Sequence, residues 1–126
     1  MDAATVQKLA RMNGIGRTAI GATLVLVPGL AGRTWVGSEA LGEGTKVFIR
    51  ALGVRDAALG IGLIAALGND GPARGWLEGA AMADAVDAAA TLIAWRSLPP
   101  LGRAAVLAIA AQSAVQCALL ARSIDG

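Results

Sequence analysis

Arg50-Ala51-Leu52-Gly53-Val54-Arg55-Asp56-Ala57-Ala58-Leu59-Gly60-Ile61-Gly62-Leu63-Ile64-Ala65-Ala66-Leu67 runs without a proline and stops at Gly68-Asn69-Asp70-Gly71-Pro72. The run reads as a helix, and the five residues after it are a dense turn signal. So short a connection makes the next helix an antiparallel neighbour. With its lead-in from Thr45 the segment can cross a hydrocarbon layer of roughly 30 Å, which takes about 20 helical residues. Yet it carries Arg50, Arg55 and Asp56, which a lipid-facing surface rejects. Such a helix must turn its polar groups inward and its apolar groups outward.

Three further segments surround it. One covers residues 5–27 and ends at Pro28-Gly29, one covers 73–95 and ends before Leu98-Pro99-Pro100, and one covers 101–121. Together with 45–67 they predict an all-α fold, an integral membrane bundle of four transmembrane helices, in one domain over residues 1–126. Between the first two spans, residues 28–44 interleave Leu30, Trp35, Val36 and Leu41 with Arg33, Glu39 and Glu43. That mixture is expected to lie along the membrane surface as an interfacial segment. Trp35, Trp76 and Trp95, each near an arginine and a span end, are expected in the interfacial belt.

The bulk numbers agree. Hydrophobic residues make up 56% of the 126, and the mean hydropathy is +0.61, so the apolar excess must face something other than water. Aromatics supply only 3%, which leaves the aliphatic and small residues of closely packed membrane helices. A net charge of +2 spread along the chain lacks the basic stripe of a nucleic-acid partner. With no histidine, the commonest general base and transition-metal ligand are missing. Three aspartates alone do not make a metal site, and no phosphate-cradling loop is present, so neither metal nor cofactor is expected. Gly14-Ile15-Gly16 and Gly60-Ile61-Gly62 fit a loose dinucleotide fingerprint, but neither follows a strand, and they read as packing faces. Cys117, alone, excludes an internal disulfide.

Lys8 and Arg11 ahead of an apolar run imitate a secretory signal, but with Met1 heading the chain the segment is expected to be retained as a span. The chain is thus expected in the cell membrane, multi-pass, with the lipid bilayer as its first partner. Its orientation stays open, because Lys8, Arg11, Arg74 and Arg122 fall on one side and Arg33, Lys46, Arg96 and Arg103 on the other.

The charges at membrane depth are the candidate site: Arg17, Arg50, Arg55, Asp56, Asp84 and Asp87, with Gln112 and Gln116 on the last helix. Each charge costs about 3 kcal/mol near the bilayer centre on insertion scales, so they are expected to converge, three Arg against three Asp. Asp84 and Asp87 share a face by their three-residue spacing. Arg50, Gly53, Asp56 and Gly60 are placed on another, with Arg55 pointing elsewhere. A shift of 39 residues aligns Arg11, Gly14, Ile20, Gly21 and Leu24 with Arg50, Gly53, Leu59, Gly60 and Leu63. The same shift sets Arg17 against Asp56, at corresponding depths, and predicts that the two pair.

Two readings stay open. A buried ionic network can simply fix helix register. Alternatively, paired carboxylates in a dry cavity titrate apart, one holding a proton while the other is ionised. On that second reading Asp84 and Asp87 are the catalytic candidates of an acid-base isomerase or cyclase that binds a lipophilic small molecule. Arg50, Asp56, Arg17, Arg55, Gln112 and Gln116 would bind substrate or tune the site. A non-catalytic accessory or scaffold protein, and a proton-coupled carrier working as a homo-oligomer, are the alternatives.

The run Arg50 to Gly60, followed by Asp84-Ala85-Val86-Asp87, resembles a family of small four-span membrane proteins of actinobacteria and fungi, classed as a domain of unknown function. The resemblance extends over Pro28, Arg33-Thr34-Trp35 and Leu98-Pro99-Pro100, nearly the whole chain. It implies the four-span topology and points to Arg50, Arg55, Asp56, Asp84 and Asp87 without giving them roles.

Overall fold

Pro28 makes the first departure from four straight helices. In the computed structural model, which describes residues 1–124, helix α1 runs Ala3–Leu26 and α2 runs Pro28–Val36. Proline has no N–H to continue α1, and its ring collides with the carbonyl four residues back. The chain bends there by 110°. The long helices α3 (Glu43–Gly68), α4 (Ala73–Ile93) and α5 (Pro100–Ser123) follow, and no strand occurs among the described residues. Each of the four segments expected from sequence is therefore one helix. The 28–44 linker, expected as a surface segment, supplies the fifth helix and a 3-10 turn at Gly37–Leu41.

Local chemistry sets the ends. Asp2 caps α1 by accepting the Thr5 N–H at 2.8 Å. That hydrogen bond holds the Asp2 carboxyl below the usual carboxylate range. With the folded value lower than the unfolded one, the cap is fully present at neutral pH and is lost as pH falls through the lowered value. Gly37 closes α2 at φ 73°, and Asp70 takes φ 52° in the tight α3–α4 turn, a conformation that Gly and Asp adopt more readily than other residues.

The bundle is built from two antiparallel pairs, α1 on α3 and α4 on α5. Glycines bring the first pair together. A Cβ on Gly53 would stand 2.6 Å from the Gly21 carbonyl oxygen, and one on Gly14 would stand 3.2 Å from that of Gly60. The 39-residue shift carries Gly14 to Gly53 and Gly21 to Gly60, so the two contacts are images of one another about a local twofold axis. Arg17 and Asp56 flank that axis.

An apolar core closes one end of the bundle, where Val6, Ala10, Leu63, Leu77, Ala80, Cys117 and Leu120 meet. Toward the other end the pattern inverts. Arg17 and Asp84 are each only 7% exposed, whereas Ile15, Ile20, Val54, Ile61, Met82, Val86, Ile109 and Val115 are all more than half exposed. By length and composition α5 qualifies as a membrane span, and α1 with α2 qualifies as a second if the bent pair is one span. Arg55 and Asp56 in α3, and Asp84 and Asp87 in α4, lower the apolar character of those helices.

Candidate functional site

Arg17 lies one turn before Gly21, on the α1 face that meets α3. Its Nη1 donates to Asp56 Oδ1 at 3.2 Å, and its Nη2 donates to Asp84 Oδ2 and to Ser113 Oγ, the latter at 3.3 Å. Its Nε reaches Asn13 Oδ1 at 3.5 Å, and Asn13 Nδ2 donates in turn to Ser113 Oγ at 3.3 Å. One guanidinium thus ties all four long helices. The Arg17–Asp56 pair expected from the 39-residue shift is present.

Arg55 makes the second knot. Its Nη1 and Nη2 grip the two oxygens of Asp87 at 3.0 and 2.6 Å, the bidentate fork that gives a carboxylate–guanidinium pair its strength and direction. Its Nε and Nη2 also donate to Asp56 Oδ1, at 3.4 and 3.1 Å. Asp56 Oδ1 is therefore the bridge between the two arginines. Asp84 and Asp87, expected as an interacting pair, each take their own arginine, and no hydrogen bond joins them among the described residues.

Arg50 is not in this cluster, contrary to the sequence expectation. It is exposed, and its Nε donates to the Val25 carbonyl at 3.3 Å, one of the last-turn carbonyls of α1 that have no helical partner. A cation is also favoured at a helix C-terminus. The geometric reason is cumulative: at 3.6 residues per turn each three-residue step falls about 60° short of a full turn, so Arg50 ends about 120° from Asp56. Arg55 replaces it inside.

Gln112 and Gln116 line a cleft beside the cluster but donate no hydrogen bond to it. Ser113, between them in sequence, joins it by accepting from Arg17 Nη2 and Asn13 Nδ2. Trp35 has a tertiary partner that the sequence did not indicate. Its Nε1 donates to Thr91 Oγ1 at 3.0 Å, and Thr91 Oγ1 donates to the Asp87 carbonyl at 2.7 Å. The close approach of Gly102 to the Thr34 carbonyl clamps α2 against α5 and holds Trp35 over the bundle. Trp95 is covered by the Arg103 guanidinium, 4.8 Å from its ring centre.

The cleft holds about 670 Å³, within the range of small-molecule sites. Its walls are Ile20, Thr23 and Leu24 of α1 and Val106, Ile109 and Ala110 of α5, its roof is Thr34 and Trp35, and Arg17, Asp56, Asp84 and Asp87 line its floor. Every fully buried side-chain nitrogen or oxygen described has a hydrogen-bond partner. Asp56 Oδ2 and Asp84 Oδ1 accept no hydrogen bond among the described residues, and both side chains line the cleft. Such a site can hold a polar group against its floor and an apolar body along its walls. Comparison with protein-family models, with curated proteins and with solved structures finds no match.

Proposed function

We propose that the chain is a multi-pass membrane protein, its four long helices spanning the bilayer, and that the cleft binds a lipophilic small molecule. The inverted polarity of the bundle carries this reading: Arg17 and Asp84 are 7% exposed while Met82, Val86 and Ile109 are each above 60%. Only 22% of the apolar window of α5 is buried, whereas a core helix of a soluble domain would hide it. Large exposed apolar faces need a membrane or a partner, and here they occur on every long helix. The charges meet one another instead of lipid, as intramembrane charges do.

Ile20 and Ile109 belong both to the exposed apolar surface and to the cleft walls. A ligand would enter sideways, between α1 and α5, from the hydrocarbon layer. If the site is catalytic, as in a proton-transferring isomerase or cyclase, Asp84 is better placed than Asp87. Both oxygens of Asp87 are occupied by Arg55, whereas Asp84, which also lines the cleft, has only Oδ2 engaged among the described residues.

Ala19 lines the cleft from an exposed position on α1, so a larger side chain there fills space without disturbing the core. Wild-type protein in dodecyl maltoside is expected to bind the neutral fluorophore N-phenyl-1-naphthylamine at one site. Ala19→Trp is expected to weaken that binding at least tenfold while changing stability by no more than about 0.5 kcal/mol. Equal affinity in the two proteins would remove the cleft as the binding site.

A further inference from the structure

The floor of the cleft is not electrically balanced. Asp56, Asp84 and Asp87 face two arginines, Arg17 and Arg55, because Arg50 lies outside on the Val25 carbonyl. With all five ionised, the cluster carries one negative charge in excess. Among the described residues Arg17 is the one cation lining the cleft, and Asn13, Asp56, Asp84 and Ser113 already engage its guanidinium. An anion entering there would meet three carboxylates and an occupied arginine. A cation would meet the carboxylates of Asp84 and Asp56, whose Oδ1 and Oδ2 respectively accept no hydrogen bond among the described residues, on side chains only 9% and 14% exposed. At such burial, opposite charges attract far more strongly than in water.

The roof makes a second and independent contribution. The Trp35 indole N–H is committed to Thr91, so Trp35 offers a ligand its ring and not its donor. Aromatic rings attract cations through their quadrupole, and aromatic-lined sites are a recurrent means of holding quaternary ammonium groups. Ile20, Leu24 and Ile109 line the path from floor to lipid.

We infer that the cleft is selective for a lipophilic cation, an alkyl or aryl body carrying a protonated amine or a quaternary ammonium or phosphonium centre. This rests on the proposed lipophilic site and adds the sign of its ligand. The charged centre sits on Asp84 and Asp56 beneath Trp35, and the apolar body lies along α1 and α5.

A size-matched pair of opposite ions tests the inference on the intact chain. Calorimetric titration in dodecyl maltoside is expected to show tetraphenylphosphonium binding at one site at least tenfold more tightly than tetraphenylborate, and displacing N-phenyl-1-naphthylamine. Asp84→Asn is expected to reduce the preference for tetraphenylphosphonium over the neutral fluorophore at least tenfold. Should that variant fail to fold, the comparison of the two ions on the wild-type chain still decides. If the neutral fluorophore binds and tetraphenylphosphonium binds no better than tetraphenylborate, the cation inference is overturned while the lipophilic cleft stands, its excess charge then being held by a proton. If none of the three binds, both fall.

Discussion

Arg17→Met is expected to destabilise the bundle by about 3–5 kcal/mol, the usual consequence of taking one partner from a buried ion pair. The side chains of Arg17 and Asp84 are 6% and 9% exposed, so water cannot replace the lost guanidinium. Asp84 would be left without a cation and Asp56 with Arg55 alone, and Asn13 and Ser113 would lose their bonds to the guanidinium. Equilibrium unfolding in mixed micelles, followed by far-UV circular dichroism, measures the loss. Arg50→Ala is the control: it removes a single exposed hydrogen bond to Val25 and is expected to cost about 1 kcal/mol or less. Equal costs for the two substitutions would mean that the cluster does not hold the helices together.

The second large effect concerns the contact of α1 with α3. A Cβ on Gly21 would overlap the Gly53 carbonyl oxygen and the Ala57 backbone nitrogen. Backbone atoms cannot rotate aside as a side chain can, so the helices must separate. Gly21→Val is expected to cost about 3 kcal/mol, the upper part of the overpacking range, and to loosen the Arg17–Asp56 pair one turn away. Gly16 provides the contrast on the same helix. Nothing lies within 4 Å of a Cβ there, so Gly16→Ala is expected to stabilise by about 1 kcal/mol through helix propensity alone. The same unfolding measurement checks both.

The helices were legible because long apolar runs end at Pro28, at Gly68-Asn69-Asp70-Gly71-Pro72 and at Leu98-Pro99-Pro100, and breakers of that kind act locally. The Arg17–Asp56 pair was legible for a different reason. Two similar helices packed antiparallel bring corresponding positions to the same depth, so one alignment located both partners. Arg50 misled because three-residue spacing holds a face for one step but drifts over two. Asn13 and Ser113 were not found: which neutral polar residue of a helix meets the charges depends on how the helix is rotated in the bundle, and Gln112 and Gln116 were chosen where Ser113 makes the contact. The four-residue spacing of Asn13 and Arg17 was the available signal. The Trp35–Thr91 bond was not legible, since it depends on how α2 folds back over Thr91 and on the Gly102 approach to Thr34. Those are tertiary contacts between segments far apart in sequence.

The proposed membrane location rests on the exposed apolar faces of the bundle, and those of α3 and α4 test it most sharply because α5 and the bent α1–α2 pair alone qualify as spans by composition. Val54 of α3 and Val86 of α4 are 58% and 62% exposed, and Cys117 is fully buried, so spin labels on cysteines placed at those two positions report their own surroundings. After reconstitution into lipid, electron paramagnetic resonance is expected to show both labels colliding with oxygen far more often than with a water-soluble nickel complex. Collision dominated by the nickel complex at Val54 and Val86 would place these apolar faces in water and contradict the membrane-embedded bundle.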